Sequence, residues 1–108
     1  MNHISLEQEL KLLLKLIYSN KNQHHASIWF RKSVEIKRWS NKLLLKLKQS
    51  SIPTNLFLEQ FETRLLKAYN SILQNLARTA FMAIGMTFIT SFSRIHSIVK
   101  HLQSHQPS

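Results

Sequence analysis

An all-α fold, an antiparallel bundle of about four helices, is what this sequence predicts, and three observations predict it. The 108 residues include one glycine, two prolines and no cysteine, so hairpin turns, phosphate-cradling loops and disulfide frameworks lack their raw material. Apolar residues recur at three- and four-residue spacing along most of the chain, which is the period of a half-buried helix. A hydrophobic share of 44% is that of a folded domain rather than a disordered basic tail, and the length holds one domain. That domain is expected over residues 1–103, with 104–108 as a frayed C-terminal tail.

The first helix is expected to open on a capping box, Ser5 with Gln8 three residues on. Leu6, Leu10, Leu13, Leu14 and Ile17 then share a face, which Leu12 and Leu16 widen enough to pack on two neighbours. Asn20-Lys21-Asn22-Gln23 is expected to interrupt this helix, because its residues favour turns and caps. A second helix comes next, from about Asn22 to Gln49, burying Ala26, Trp29, Ser33, Ile36, Ser40, Leu43, Leu44 and Leu47. Trp29 is assigned to that core, and the adjacent Phe30, turned off it, to a partner surface. Ser50 to Asn55 form the clearest loop, since Pro53 disfavours helix at Ile52 and Thr54 or Asn55 can cap the third helix.

Beyond the loop, Leu58, Phe61, Leu65, Tyr69, Ile72 and Leu76 keep a helical period, and Phe81, Ile84, Phe88, Phe92, Ile95, Val99 and Leu102 keep another. One rod from 56 to 102 would be about 70 Å long at 1.5 Å per residue. That is too long for a domain of this size, so a break is placed between Asn70 and Arg78. Gly85, inside the last helix, reads as a close helix–helix approach. Met82, Met86 and Ile89 lie off the Phe81–Phe88–Phe92 face, so both sides of this helix look buried, and a contact with another protein is preferred to a central position. The fifteen residues between Arg78 and Arg94 are the longest uncharged run, short of the ~20 that cross a membrane. No membrane span and no export signal are expected.

Fifteen Lys and Arg against five acidic residues leave a formal net charge of +10. Between positions 21 and 48, Lys21, Arg31, Lys32, Lys37, Arg38, Lys42, Lys46 and Lys48 stand against Glu35 alone. At 100° per residue, His24, Arg31, Arg38, Lys42 and Lys46 fall within an arc of about 80°, pointing away from the Trp29–Leu47 seam. Such a stripe follows a phosphate backbone, where each neutralised phosphate releases a counterion. Trp39 and Ile28 lie on the same side, where a ring could stack on an unpaired base. An anionic membrane surface or plain solvation remain open readings of the same face.

Catalytic chemistry lacks parts. Of six histidines only His101 and His105 have the i, i+4 spacing of helical metal ligands, and no cysteine accompanies them. Glu7, Glu9, Glu35, Glu59 and Glu62 are the whole acidic inventory and read as helix-surface charges. No catalytic residue, metal, cofactor or small-molecule ligand is therefore assigned.

The string Asn20-Lys21-Asn22-Gln23-His24-His25-Ala26-Ser27-Ile28-Trp29 is preceded by Leu6-Glu7-Gln8-Glu9 and followed by Lys37-Arg38. It resembles the small RNase MRP-specific protein subunit family. Ala80-Phe81-Met82-Ala83-Ile84-Gly85, with Arg94 downstream, is similar to that family's last conserved helix, so the resemblance spans roughly residues 5 to 102. It implies a non-catalytic subunit of RNase MRP, a ribonucleoprotein endonuclease whose RNA is the catalyst, and one absent from RNase P. Such a subunit binds the MRP RNA and other MRP protein subunits in the nucleolus, and supports processing of precursor ribosomal RNA.

The resemblance carries over Asn20, Lys21, Asn22, Gln23, His24 and Trp29 as motif positions. Asn22 and Gln23 would offer hydrogen-bonding groups at a helix start, Lys21 and His24 charge, and Trp29 packing; a tight interhelical cap is the other account of the string. Some relatives extend into a lysine-rich C-terminal tail that this sequence lacks, so RNA affinity is expected from the second helix or from avidity with neighbouring subunits. The expected RNA-contacting set is Lys21, Asn22, Gln23, His24, Arg31, Lys32, Arg38, Lys42 and Lys46. The alternatives are a basic amphipathic protein on an anionic membrane and a protein-only helical adaptor.

Overall fold

The structure, a computed structural model, describes residues 3–75 and 81–105. It contains α1 (His3–His24), α2 (Ile28–Lys48), α3 (Asn55–Leu73) and α4 (Met82–Ser104), with no strand among the described residues. Each helix packs on the one before and the one after, and α4 returns to α1. This is the expected antiparallel four-helix bundle, drawn out to 44 × 23 × 20 Å.

The helix boundaries differ from expectation at α1. It opens at His3, so Ser5 is already helical and no capping box starts there. Asn20-Lys21-Asn22-Gln23 does not interrupt it, because the helix runs on to His24. Asn20 Nδ2 donates to the Leu16 carbonyl at 2.8 Å, a bond made inside the helix. The turn preference of asparagine is worth under about 1 kcal/mol; the extra turn it would have removed carries His24 onto Trp29. The reversal falls at His25–Ser27 instead, and Ala26, expected on the buried face, is exposed. Asn22 and Gln23 thus stand at a helix end, not a helix start.

The α2–α3 connection keeps the loop expected of Ser50 to Asn55. Ser51 N–H donates to the Lys46 carbonyl and Ser50 N–H to that of Leu47, the paired bonds that close a helix through a left-handed residue. That residue is Ser50, at φ 59°. Thr54 caps α3, its hydroxyl accepting from the Phe57 N–H at 3.1 Å. The break in the second half is also present: α3 ends at Leu73, and Phe81 leads into α4. Of the tail expected over 104–108, Ser104 is the last residue of α4 and His105 its cap, while Leu76, Arg78 and residues 106–108 lie outside the described residues.

One continuous core joins the helices. Leu6, Leu10, Leu13 and Ile17 from α1 meet Trp29, Ile36 and Leu43 from α2, Leu58, Phe61, Leu65 and Ile72 from α3, and Phe88, Phe92, Ile95 and Val99 from α4. Leu14, at the margin of the α1 face, stays exposed. Trp29 is buried as expected, but so is Phe30, which is only 4% exposed and not a partner surface. Adjacent residues differ by 100°, and a bundle helix with two neighbours has an apolar sector wide enough for both. The Trp29 indole reaches Phe81 at 4.8 Å and Phe88 at 5.2 Å. Gly85 is buried on α4, between those two residues in sequence.

α4 is not buried on both sides. It touches α1 and α3, and its far side faces outward with Met82 54% and Met86 51% exposed and Ile89 half-buried. The methionines are thus available to a partner rather than absorbed by a central position.

Candidate nucleic-acid interface

The acidic residues are mostly spoken for within the bundle. Glu7 pairs with Lys48 at 3.0 Å and Lys11 at 3.9 Å, Glu35 with Arg64 at 3.2 Å, and Glu62 with Lys100 at 3.1 Å. Glu9 stands 4.0 Å from Arg94. Among the described residues, Lys15, Lys21, Arg31, Lys32, Lys37, Arg38, Lys42 and Lys46 make no ion pair. All of these lie on α1 and α2, and Lys67 on α3 is the one further described lysine or arginine without an ion pair, so most of the excess charge belongs to one half of the bundle.

Arg31, Arg38 and Lys42 come together on the outer face of α2, all exposed, one helical turn or two apart. Ile28 is exposed at the start of that face, as expected. Lys46 leans toward α3, its ammonium 5.2 Å from the Phe57 ring centroid, and Lys32 is half-buried. Lys21, Asn22 and Gln23 are exposed on the last turn of α1.

His24 does not join the stripe. It belongs to α1, so the angular periodicity of α2 does not apply to it, and its imidazole packs against Trp29 with Nε2 buried and without a hydrogen-bond partner. Trp39 is likewise not a free stacking platform. Its half-buried ring contacts Phe57 at 5.1 Å and Phe61 at 5.9 Å, with the Arg64 guanidinium at 4.7 Å and the Lys42 ammonium at 5.2 Å from its centroid. Sequence reasoning located the side of the helix and not the neighbour that covers it.

It also missed a second basic face. Lys11, Lys15 and Tyr18 follow one another at i, i+4, i+7 along α1, and with Leu14, Lys21 and Lys37 of α2 they line a groove of about 630 Å³. The spacing is visible in the sequence, but only the antiparallel packing of α1 on α2 brings Lys37 to it.

On the opposite side, α3 and α4 are joined by polar contacts. His96 Nε2 donates to Glu62 Oε2 at 2.8 Å, and the Tyr69 and Ser93 hydroxyls lie 2.6 Å apart. The hydrogen bond from His96 is the main reason the Glu62 carboxyl is held below its ordinary range, with Lys100 and Gln103 adding to it against the opposing pull of burial. The His101 imidazole is also lowered, by desolvation and by His105 beside it. Among the described residues, no group of three or more His, Cys, Asp or Glu gathers as a metal site, and no helix is long and apolar enough to cross a membrane. Comparison with protein-family models, with curated proteins and with solved structures returned no match.

Proposed function

We propose that the protein is a non-catalytic subunit of the RNase MRP ribonucleoprotein, binding MRP RNA and other protein subunits in the nucleolus and supporting precursor ribosomal RNA processing. The observation that carries the reading is the run of unpaired cations, Arg31, Arg38 and Lys42, along the outer face of α2. It comes directly after the His25–Ser27 turn, which lies within the Asn20–Trp29 string that resembles the MRP-specific family. Arginine there can contact phosphate bidentately, and each neutralised phosphate adds affinity at low salt. A contact with a protein subunit is supported by the outward apolar side of α4, where Met82 and Met86 are half exposed.

The reading is tested by tagging the protein in its own cells, purifying it under native conditions and sequencing the RNA that accompanies it. Enrichment of MRP RNA over RNase P RNA is the expected result. Equal recovery of both would make it a shared subunit, and absence of RNA would reject the assignment. Flotation with anionic vesicles after nuclease treatment identifies the membrane-surface alternative, and partners retained through nuclease and high salt identify a protein-only adaptor.

A further inference from the structure

We infer that the α1/α2 groove is a binding site for an unpaired RNA segment, with Tyr18 as the platform on which a base stacks and Lys11, Lys15, Lys21 and Lys37 as its phosphate clamps. The inference rests on the RNA-binding reading above and adds a second, chemically different surface to it. Three observations meet there. Tyr18 is 84% exposed, the most open of the large hydrophobic side chains among the described residues. Among the described residues its ring makes no aromatic contact and its hydroxyl no hydrogen bond, whereas the other tyrosine, Tyr69, has both, bonding Ser93 and packing on Phe92. Four lysines surround it on two helices, and of these only Lys11 approaches a carboxylate, that of Glu7 at 3.9 Å.

The geometry discriminates between nucleic-acid forms. A duplex hides its base faces in the stack and leaves its phosphates outside, which the outer side of α2 can meet with Arg31 and Arg38. A single strand exposes both phosphate and base, and its recognition combines a positively charged groove with an aromatic ring. The α1/α2 groove has that combination and the α2 outer face does not, since Trp39 is occupied by Phe57 and Arg64. A lipid surface fits the groove less well. Membrane-lying helices need a broad apolar face, and here the aliphatic lining beside Tyr18 is Leu14, 42% exposed, and Ile17, 9% exposed, against four lysines.

The test measures binding of the full chain to a short unstructured oligouridine and to a fully paired RNA duplex. Tyr18→Ala should weaken oligouridine binding about 5-fold or more, as loss of one stacked base does, and leave duplex binding unchanged. Tyr18→Trp should retain the oligouridine affinity. Lys15→Gln with Lys37→Gln should weaken it and lower its salt dependence. Because Tyr18 touches no core residue ring, its variants should melt with the unsubstituted protein, which a thermal scan checks.

Unchanged oligouridine affinity in Tyr18→Ala overturns the groove. If Arg31→Ala and Arg38→Ala then still weaken RNA binding, the subunit reading survives that failure. Conversely, a Tyr18-dependent oligouridine affinity in a protein that recovers no MRP RNA from cells sustains the groove and rejects the particle assignment. Tyr18-dependent flotation on anionic vesicles with no RNA binding overturns both.

Discussion

The imidazole of His24 lies 5.1 Å from the indole of Trp29 across the turn that joins α1 to α2. A five-residue spacing in sequence thereby becomes a ring contact at the end of the bundle, and the indole continues to Phe81 and Phe88 on the far helix. Trp29 is the side chain that ties the α1–α2 turn to α4.

Trp29→Ala should therefore cost about 3–5 kcal/mol, the range for an aromatic removed from a packed core. His24→Leu should behave differently. It keeps an apolar contact for the indole and removes a buried Nε2 that has no partner, so the stability change should be near zero or favourable. Urea denaturation of the two variants separates these outcomes, and comparable losses in both would remove the distinction.

Ser50 closes α2 in the left-handed region that favours glycine. Ser50→Gly should raise stability by about 0.5–1 kcal/mol without altering the loop bonds from Ser50 and Ser51 to Leu47 and Lys46. A lowered melting temperature would mean that the Ser50 side chain makes a contribution larger than the backbone strain.

Arg31 and Arg38 are exposed and make no ion pair, so their removal should leave the melting temperature within the scatter of surface substitutions. The effect should fall on RNA. Each arginine that contacts a phosphate lowers the slope of log affinity against log salt by about one unit when replaced by alanine, uniformly across RNA sequences. Binding titrations over a salt series measure that slope; no change would return the stripe to a solvated face.

The Glu62 carboxyl is held below its ordinary value of 4.5, chiefly by the hydrogen bond from His96. A lowered folded value means that folding favours the charged form. This contribution to stability is complete above the unfolded value, and is lost as pH falls through the lower, folded one. Glu62→Gln should cost about 1 kcal/mol at neutral pH and flatten the acid limb of the stability curve. Stability profiles that stay parallel between the two proteins below pH 4.5 would show that Glu62 does not carry it.

Much of the architecture could be read from local pattern. Leu6, Leu10, Leu13 and Ile17 recur at helical spacing and are buried, and Thr54 caps α3 where Pro53 ends the loop. The errors concern competition between weak local preferences and packing. Asn20 and Asn22 read as a break, yet one more turn of α1 wins because it puts His24 against Trp29. Phe30 read as a surface residue because a single-seam helix was assumed; α2 has two neighbours and buries both rings.

The candidate interface divides along the same line. Net charge and its concentration between Lys21 and Lys48 are sums over the sequence, and no fold could change them. Which cations remain unpaired is a tertiary matter: Glu35 reaches Arg64 on α3 and Glu7 reaches Lys48 on α2, so the neutralised positions are set by helices that are remote in sequence. The sequence by itself determined four amphipathic helices and a strong positive charge, because helical period and composition are local and additive. Only the tertiary structure decided that Trp39 is covered, that Tyr18 is open and that Lys37 joins it across a groove, because side-chain exposure depends on which neighbouring helix packs beside each face.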